Sequence, residues 1–285
     1  YRANVEQSAS KDVDFAKQNM QNIFEKLWQT YTLQNPEVQK IHNAFTAKGE
    51  SVVNDHIAFR TFDDARINVE VLARPFLKAG FVEKGTYRFE EKKLFAKHYE
   101  NPMDPLAPRV FISQLETGKF SSQLQKLISE WIDRIPVNEL SSDALIYQGN
   151  PWGKPSYHNY EQLRKESEYA AWVYVYGFCA NHFTVSVNHL NSFEGIYAVN
   201  AFLKENGFLM NESGGEVKGT PQELLEQSST RAGIIEVDFQ EGKFSIPSTY
   251  YEFARRYPDA DGKIYSGFIA KSADKIFEST DYYRK

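Results

Sequence analysis

The sequence predicts an α+β fold in which two copies of a βαβββ module form an open barrel, with added helices at the N-terminus and in the centre. Two observations lead to this prediction. The spacing of apolar residues changes from three or four to two near residue 54 and again after residue 170, which is the change expected where helix gives way to strand. The two strand-rich stretches also share landmarks in the same order. A sheet-forming module is therefore expected to occur twice.

The repeat is visible as four matching features. A strand containing His56 lies 20 residues before the sequence Phe76-Leu77-Lys78-Ala79-Gly80-Phe81, and one containing His182 lies 20 residues before Phe202-Leu203-Lys204-Glu205-Asn206-Gly207-Phe208. Each stretch then reaches a predicted closing strand led by an arginine, Arg109 or Arg231, and the residue five positions after that arginine is Gln114 or Glu236. The period, about 126 residues, is longer than that of solenoid repeats and indicates duplication of a whole module.

The remaining segments are assigned around these modules within a single domain, 1–285. Apolar residues at helical spacing predict N-terminal helices over 11–50, with a break at Asn35-Pro36. The first module is expected over 51–118, a helical insert over 119–170, the second module over 171–240 and a C-terminal extension over 241–285. Within the second module, strands are predicted from 171 to 178 and from 181 to 188, and the closing strand from 232 to 239.

Composition excludes several classes of protein. One cysteine cannot form an internal disulfide and cannot supply a zinc ribbon or an iron–sulfur cluster. The formal net charge of -5 gives no basic surface for nucleic acid or for anionic membranes. No apolar stretch approaches the ~20 residues of a membrane span, and no signal-peptide pattern is visible. A cytoplasmic protein is expected, and any bound metal should have imidazole and carboxylate ligands.

The strands of the repeat select candidate metal ligands. His56 and His182 hold corresponding positions in the two modules, and Glu236 lies on the predicted closing strand of the second. Two imidazoles and one carboxylate from three strands form the set that binds non-haem Fe(II) and leaves positions open for substrate. The same ligands would also hold Zn, Mn, Co or Ni, so the residue types alone do not choose the metal.

Alternation along the strands places further candidates on the cavity side. Arg60 shares a face with His56 at about 13 Å along the strand, and Thr184 shares one with His182. Gln114 occupies the place that a fourth ligand would take, and as a weak neutral donor it is expected to contact substrate or a metal-bound water. Each candidate has a structural alternative: a hydrogen-bonded histidine, an ordinary salt bridge for Arg60, or pairing of Glu236 with Arg231. Among the other histidines, His98 is the closest competitor.

Three segments of the sequence carry a resemblance to a known family. They are Asn54-Asp55-His56-Ile57-Ala58-Phe59-Arg60-Thr61-Phe62, Glu168-Tyr169-Ala170-Ala171-Trp172 and Asn181-His182-Phe183-Thr184. From about residue 15 to 280 the sequence resembles the 2-oxoadipate dioxygenase/decarboxylase family, which is related to the vicinal oxygen chelate (glyoxalase-like) fold. The resemblance implies that His56, His182 and Glu236 ligate Fe(II) and that Arg60 is a catalytic residue that binds a substrate carboxylate. It also implies that Ser272 contacts substrate.

The resemblance implies a reaction as well. Characterised members convert 2-oxoadipate and O2 to 2-hydroxyglutarate and CO2 in lysine breakdown. This sequence departs from the family's pattern at Val185-Ser186, where Pro-Arg is commoner, and at Lys271, which replaces an apolar residue. Two other classes stay open: a glyoxalase-like lyase or isomerase that uses Zn, Ni or Mn, and a non-catalytic protein that binds a small acid. The expected partners are a 2-oxo acid and O2, and the oligomeric state is not predicted.

Overall fold

A computed structural model describes residues 2–277 and shows a mixed α+β fold. The helices are α1 (Arg2–Gln34), α2 (Pro36–Ala47), α3 (Val69–Lys78), α4 (Ser122–Asp133), α5 (Val137–Leu140), α6 (Tyr157–Glu166), α7 (Glu168–Tyr176), α8 (Ile196–Glu205) and α9 (Ala270–Phe277). The strands are β1 (Asn54–Phe62), β2 (Val82–Phe89), β3 (Leu94–Glu100), β4 (Arg109–Leu115), β5 (Ala180–Ser186), β6 (Lys218–Thr220), β7 (Leu225–Ser229), β8 (Ile234–Phe239), β9 (Gly242–Pro247) and β10 (Glu252–Arg256).

Eight of these strands form one curled sheet in the order β2-β3-β4-β1-β5-β10-β7-β6. Outward from the central pair β1 and β5, the first half has the order β1-β4-β3-β2 and the second half has the equivalent order β5-β10-β7-β6. In the first half β1 pairs in parallel with β4, and in the second half β5 pairs in parallel with β10. The antiparallel pair β1–β5 joins the two halves. The predicted duplication of a βαβββ module is therefore confirmed, with α3 and α8 as the corresponding helices.

The second module is interrupted by a hairpin, and this corrects one sequence prediction. The segment expected to close the module, 232–239, instead contains β8, which pairs with β9 in a separate two-stranded sheet. The strand that closes the module is β10, which pairs with both β5 and β7. The module thus extends to Arg256 and not to residue 240, because a hairpin is inserted before its last strand.

The N-terminal helices pack on the face of β5 that is opposite His182. The ring of Phe183 lies 5.0 Å from that of Trp28 and 5.2 Å from that of Tyr31, and both Tyr31 and Phe183 are buried. The Tyr31 hydroxyl donates a hydrogen bond to the carbonyl of Tyr250 just before β10. Helix α1 therefore ties together the backs of β5 and β10, two strands that carry site residues.

A second correction concerns residues 171–178, which were expected to form a strand. They belong largely to α7, whose residues Ala170 to Tyr176 are all buried. Ser167 caps the helix by accepting a hydrogen bond from the backbone N–H of Ala170, and Gly177 ends it with a φ of 65°. A short, wholly buried apolar run has no polar face, so residue spacing cannot distinguish a helix from a strand.

The helical insert and the C-terminal extension complete the described chain. Helices α4 to α6 lie within 119–170, where a helical insert is expected, and α7 begins at Glu168 and continues to Tyr176. Within residues 2–277 no helix is long and apolar enough to cross a membrane. The part of the predicted C-terminal extension that follows residue 277 lies outside the described residues.

Candidate metal centre and active site

Three buried side chains from three strands meet beside the centre of the sheet. His56 on β1, His182 on β5 and Glu252 on β10 each offer one ligand atom, and these atoms all lie within 4.8 Å of one another. The Oε2 atom of Glu252 is 3.2 Å from Nε2 of His56 and 2.6 Å from Nε2 of His182. All three residues are at most 4% exposed. Two imidazoles and one carboxylate in this arrangement could hold a divalent metal.

The backbone next to each histidine is bulged, and the bulge places a second polar side chain beside the ring. Between Asn54 and His56 the register with β5 shifts because Asp55 has no partner residue, and Asn181 is the extra residue on β5 before His182. A bulge re-aims a side chain that regular alternation would send to the other face. Asp55 Oδ2 then lies 2.8 Å from His56 Nδ1, and Asn181 Oδ1 lies 2.8 Å from His182 Nδ1.

These contacts determine which ring nitrogen of each histidine faces the cluster. With Nδ1 donating its hydrogen to the bulged residue, Nε2 of each ring points into the cluster, which is the usual arrangement of metal-binding histidines. The two modules reach the same result with different groups, a carboxylate in Asp55 and an amide in Asn181. The bulges were not predicted, although an Asp or Asn directly before each histidine was visible in the sequence.

The pKa values of the two imidazoles are shifted in opposite directions. Burial lowers the pKa of His182, and the neighbouring Glu252 opposes this only in part. Burial also acts to lower the pKa of His56, but the carboxylates of Glu252 and Asp55 outweigh it and raise that pKa above its ordinary value. Burial would raise the pKa of Glu252, whereas the two imidazoles hold it well below its usual range. The Glu252 carboxyl is therefore held in its ionised form, in which a carboxyl group ligates a metal.

Two neighbours fix the carboxylate of Glu252. Gln227 on β7 donates a hydrogen bond from Nε2 to Glu252 Oε1 at 2.6 Å, and the Thr184 hydroxyl lies 3.1 Å from Oε2. Thr184 also lies 3.0 Å from His56 Nε2, so its hydroxyl is beside the cluster, and its predicted contact with substrate stays a prediction. Gln227 was missed because β7 was not recognised as a strand of the module.

Glu236, the carboxylate chosen from the sequence, is not at this site. It lies on β8 of the inserted hairpin, its side chain is 62% exposed, and its Oε1 is 3.6 Å from Nζ of Lys243. The carboxylate beside the two histidines is Glu252. The prediction of Glu236 is wrong because the inserted hairpin displaces the true closing strand along the sequence.

Gln114 also has a different role from the predicted one. Its Oε1 accepts a hydrogen bond from the backbone N–H of Val69 at the start of α3, on the side of β4 away from the cavity. The position that corresponds to Glu252 is held by Phe111, since Phe111 pairs with Ala58 on β1 as Glu252 pairs with Thr184 on β5. A phenyl ring cannot ligate a metal, so the first module contributes one ligand and the second contributes two.

Arg60 lines the cavity on the same strand as His56. It is 3% exposed, and its guanidinium carbon lies 5.0 Å from the ring of Tyr169 and 5.3 Å from that of Trp172. The Tyr169 hydroxyl anchors α7 to β1 and β4 through hydrogen bonds with Thr61 and Ser113. Two aromatic rings of α7 thus hold a buried cation at a defined place in the cavity.

The cavity around the cluster is small and mostly apolar. Its volume is about 30 Å³, room for one or two water molecules. Besides the cluster and Arg60, the lining residues are Ala58, Phe59, Phe111, Ser113, Asn181, Gln227, Tyr250, Phe268, Ala273 and Ile276. Ser272 is buried on α9 next to the lining residue Ala273, and its predicted contact with substrate stays a prediction.

The chemistry of the cluster fits a metal ion. The His182 Nε2 atom has no hydrogen-bond partner among the described residues, although Glu252 Oε2 is only 2.6 Å away. A buried nitrogen and a carboxylate at such a distance without a hydrogen bond are stabilised when both ligate one cation. The donor set of two nitrogens and one oxygen suits Fe(II) and also other divalent metals.

Comparison with known proteins gives the class to which the chain belongs. The sequence profile of a family described as 2-oxoadipate dioxygenase/decarboxylase matches residues 18–146 and 144–262. The chain belongs to the 2-oxoadipate dioxygenase/decarboxylase family. The two matched segments cover most of the chain and contain all three residues of the cluster.

Relatives of this dioxygenase/decarboxylase family cover nearly the whole chain. A chloroplastic 2-oxoadipate dioxygenase/decarboxylase of Arabidopsis thaliana is 33% identical over 97% of this chain and 81% of its own length. The crystal structure of hydroxyglutarate synthase from Oryza sativa, in complex with 2-oxoadipate, superposes with a TM-score of 0.89 at 32% identity, covering 94% of each chain. A structure from Shewanella frigidimarina designated as a hydrolase is 50% identical, with a TM-score of 0.83, over 88% of this chain and 97% of the other. The predicted family, fold and enzyme class are confirmed.

Proposed function

We propose that this protein is a metal-dependent dioxygenase that decarboxylates a 2-oxo dicarboxylic acid such as 2-oxoadipate, giving a 2-hydroxy acid and CO2. The observation that carries the proposal is the buried cluster of His56, His182 and Glu252, with Arg60 in the same cavity. Family membership supplies the reaction class, and the relative from Oryza sativa was crystallised with 2-oxoadipate.

The cluster is proposed to hold Fe(II). When bound, Fe(II) would supply a redox-active Lewis acid with coordination positions open to small molecules. Asp55 and Asn181 each contact Nδ1 of one ring, which leaves Nε2 of both rings as the nitrogen that ligates, and Gln227 holds the carboxylate of Glu252. Since these partners are already in place, little reorganisation is required when the ion binds.

Arg60 is proposed to bind the carboxylate at the far end of the substrate. A guanidinium forms two parallel hydrogen bonds with a carboxylate, which fixes both position and orientation. The rings of Tyr169 and Trp172 hold it in place before substrate arrives. The apolar walls formed by Phe111 and Phe268 exclude water around the reacting end and so strengthen every charged contact there.

The glyoxalase-like lyase remains the second candidate because the same donors hold Zn, Ni or Mn. The sequence placed Gln114 where a fourth ligand would lie, which kept this class open, but Gln114 accepts a hydrogen bond from Val69 of α3 and Phe111 holds the corresponding place. Three protein ligands leave more of the metal open, which favours the dioxygenase.

One experiment tests the proposal. The protein is purified anaerobically, its metal content is measured, Fe(II) is added with 2-oxoadipate, and O2 uptake and CO2 release are followed. Wild type should consume O2 and release CO2 together. His182→Ala should abolish both metal binding and turnover, whereas His189→Ala should leave them unchanged, because His189 is exposed and bonds Ser186 away from the cluster. An absence of O2 consumption across a panel of 2-oxo acids would favour the lyase instead.

A further inference from the structure

A buried arginine outside the ligand cluster connects one metal-binding histidine to the segment that covers the cavity. We infer that Arg256 is a positioning residue that couples metal binding at His56 to closure of the C-terminal strap, residues 265–268, over the site. The inference rests on the proposed metal site and concerns how that site is assembled and opened.

The connection begins at Asp55. Its carboxylate contacts His56 Nδ1 through Oδ2 at 2.8 Å, and Arg256 binds the same carboxylate with two nitrogens, Nε to Oδ1 at 2.8 Å and Nη2 to Oδ2 at 3.1 Å. Asp55, His56 and Arg256 are each 3% exposed. A bidentate ion pair buried this deeply fixes both planar groups, so the position of Arg256 determines how Asp55 meets the histidine.

Arg256 also holds the strap. Its Nη1 donates hydrogen bonds to the carbonyl of Tyr265 at 3.0 Å and to that of Gly267 at 2.7 Å. Its guanidinium lies 5.0 Å from the ring of Phe268. One side chain therefore binds the carboxylate that orients a metal-binding histidine and the backbone of the strap.

The strap covers the cavity through Phe268. This ring lies 4.9 Å from the His56 ring and 5.0 Å from the Phe111 ring, and it lines the cavity. The remaining volume of about 30 Å³ is too small for a six-carbon acid. Lining groups must therefore move for such a substrate to enter, and Phe268 of the strap and Ala273 and Ile276 of α9 are among them.

Movement of the strap would change the surroundings of Arg256. Without the carbonyls of Tyr265 and Gly267, the buried guanidinium loses two acceptors and its contact with Asp55 is no longer held in place. Coupling of this kind is reciprocal, so metal bound at His56 should stabilise the closed strap to the same extent that the closed strap stabilises metal binding.

The two modules differ at this point, which argues against a purely orienting role for Asp55. Asn181 holds His182 at the same 2.8 Å with a neutral amide. An amide is thus sufficient to orient a histidine in this fold. The negative charge of Asp55 also binds Arg256 and Arg109. Arg109 in turn donates a hydrogen bond from Nε to the Ser266 hydroxyl of the strap at 2.7 Å.

The test uses Co(II) as the probe and two measurements that do not depend on turnover. The first is the dissociation constant for Co(II), followed by its visible absorption under anaerobic conditions. The second is hydrogen exchange of the strap amides with and without Co(II). In wild type, Co(II) should slow exchange in residues 265–268 by about tenfold, which corresponds to a coupling of about 1.4 kcal/mol.

Variants of β10 separate the roles. Arg256→Met should raise the Co(II) dissociation constant by about 10- to 100-fold and remove the effect of Co(II) on strap exchange. Arg256→Lys keeps the positive charge but not the two-nitrogen contact with Asp55, so it should retain part of the Co(II) affinity and part of the effect of Co(II) on strap exchange. Arg255→Met is the matched control and should change neither, because Arg255 is the next residue on the strand and stacks on Tyr257.

The outcomes distinguish this inference from the proposed function. Failure of wild type to bind Co(II) would overturn both. Wild type that binds Co(II) with no change in strap exchange would overturn the coupling alone, and this measurement stands even where Arg256→Met fails to fold. An unchanged Co(II) dissociation constant in folded Arg256→Met would also overturn it, while leaving the metal-dependent function intact.

Discussion

Replacement of Arg60 tests whether the cavity recognises a second carboxylate. Arg60→Met removes the charge and keeps a side chain of similar length on β1. Loss of a buried, charge-assisted contact with a carboxylate costs about 3 kcal/mol, which is about 100-fold in kcat/KM. For 2-oxoadipate we expect most of this loss in KM, because the contact exists in both ground and transition states.

The specificity of the effect comes from a second substrate. 2-Oxohexanoate has the same length but lacks the far carboxylate, so it has nothing for Arg60 to bind. Arg60→Met should change its kcat/KM by less than about threefold, and the wild-type preference for 2-oxoadipate should fall by about 100-fold. The four values form a double-mutant cycle between the side chain and the substrate group.

Metal binding and folding serve as controls. Co(II) affinity should not fall, since Arg60 is not a ligand and its positive charge opposes a second cation in the same cavity. Loss of the contacts with Tyr169 and Trp172 should lower the melting temperature by only a few degrees, at about 1–2 kcal/mol. Arg88→Met, an exposed arginine paired with Glu116, should behave as wild type. Equal losses for the two substrates would refute the assignment of Arg60 to the far carboxylate.

Three further predictions concern the ligand set. Glu252→Gln should abolish Co(II) binding and O2 uptake, whereas Glu236→Gln should leave both at wild-type levels; the reverse result would restore Glu236 as the ligand. Phe111→His places an imidazole where the first module lacks a ligand. It should tighten Zn(II) binding by about tenfold or more and reduce O2 uptake by at least the same factor. Unchanged turnover would contradict an open coordination position of the metal on the side of Phe111. Since the pKa of His56 is raised, metal-free protein should carry a proton on His56 at and somewhat above pH 6.5, and metal binding should release it. Apparent metal affinity should thus rise with pH until the raised pKa is passed, and calorimetry in buffers of different ionisation enthalpy measures the proton count; a count of zero across pH 6 to 7 would contradict this.

The two histidines and Arg60 could be chosen from sequence because they lie on duplicated strands that alternate regularly after the bulge beside each histidine. His56 and His182 stand at the same distance from matching helix ends, and the alternation of β1 puts Arg60 on the face of His56. Both features are local or nearly so. Local periodicity and an internal repeat are therefore enough to identify these three residues.

The carboxylate could not be chosen in this way. Glu252 follows His182 by 70 residues, whereas Phe111 follows His56 by 55, and the difference is close to the length of the inserted hairpin, Ile234–Pro247. The hairpin strand β8 has an alternating apolar pattern typical of a strand, while β10 is short and rich in charge. Periodicity identifies a strand but not the partner with which it pairs, so the more regular segment was mistaken for the closing strand.

The differences between the modules explain how a duplicated fold yields an open site. If both halves kept the same residues, two histidines and two carboxylates would face one another across β1 and β5. Phe111 in place of a carboxylate removes one donor and adds an apolar wall on that side. On the same side Asp55 replaces the amide of Asn181 and binds Arg256, which holds Phe268 over the ring of Phe111. The first module thus lacks a ligand at Phe111, and the strap covers the cavity at that position. A substrate would have room to bind there once the strap has moved.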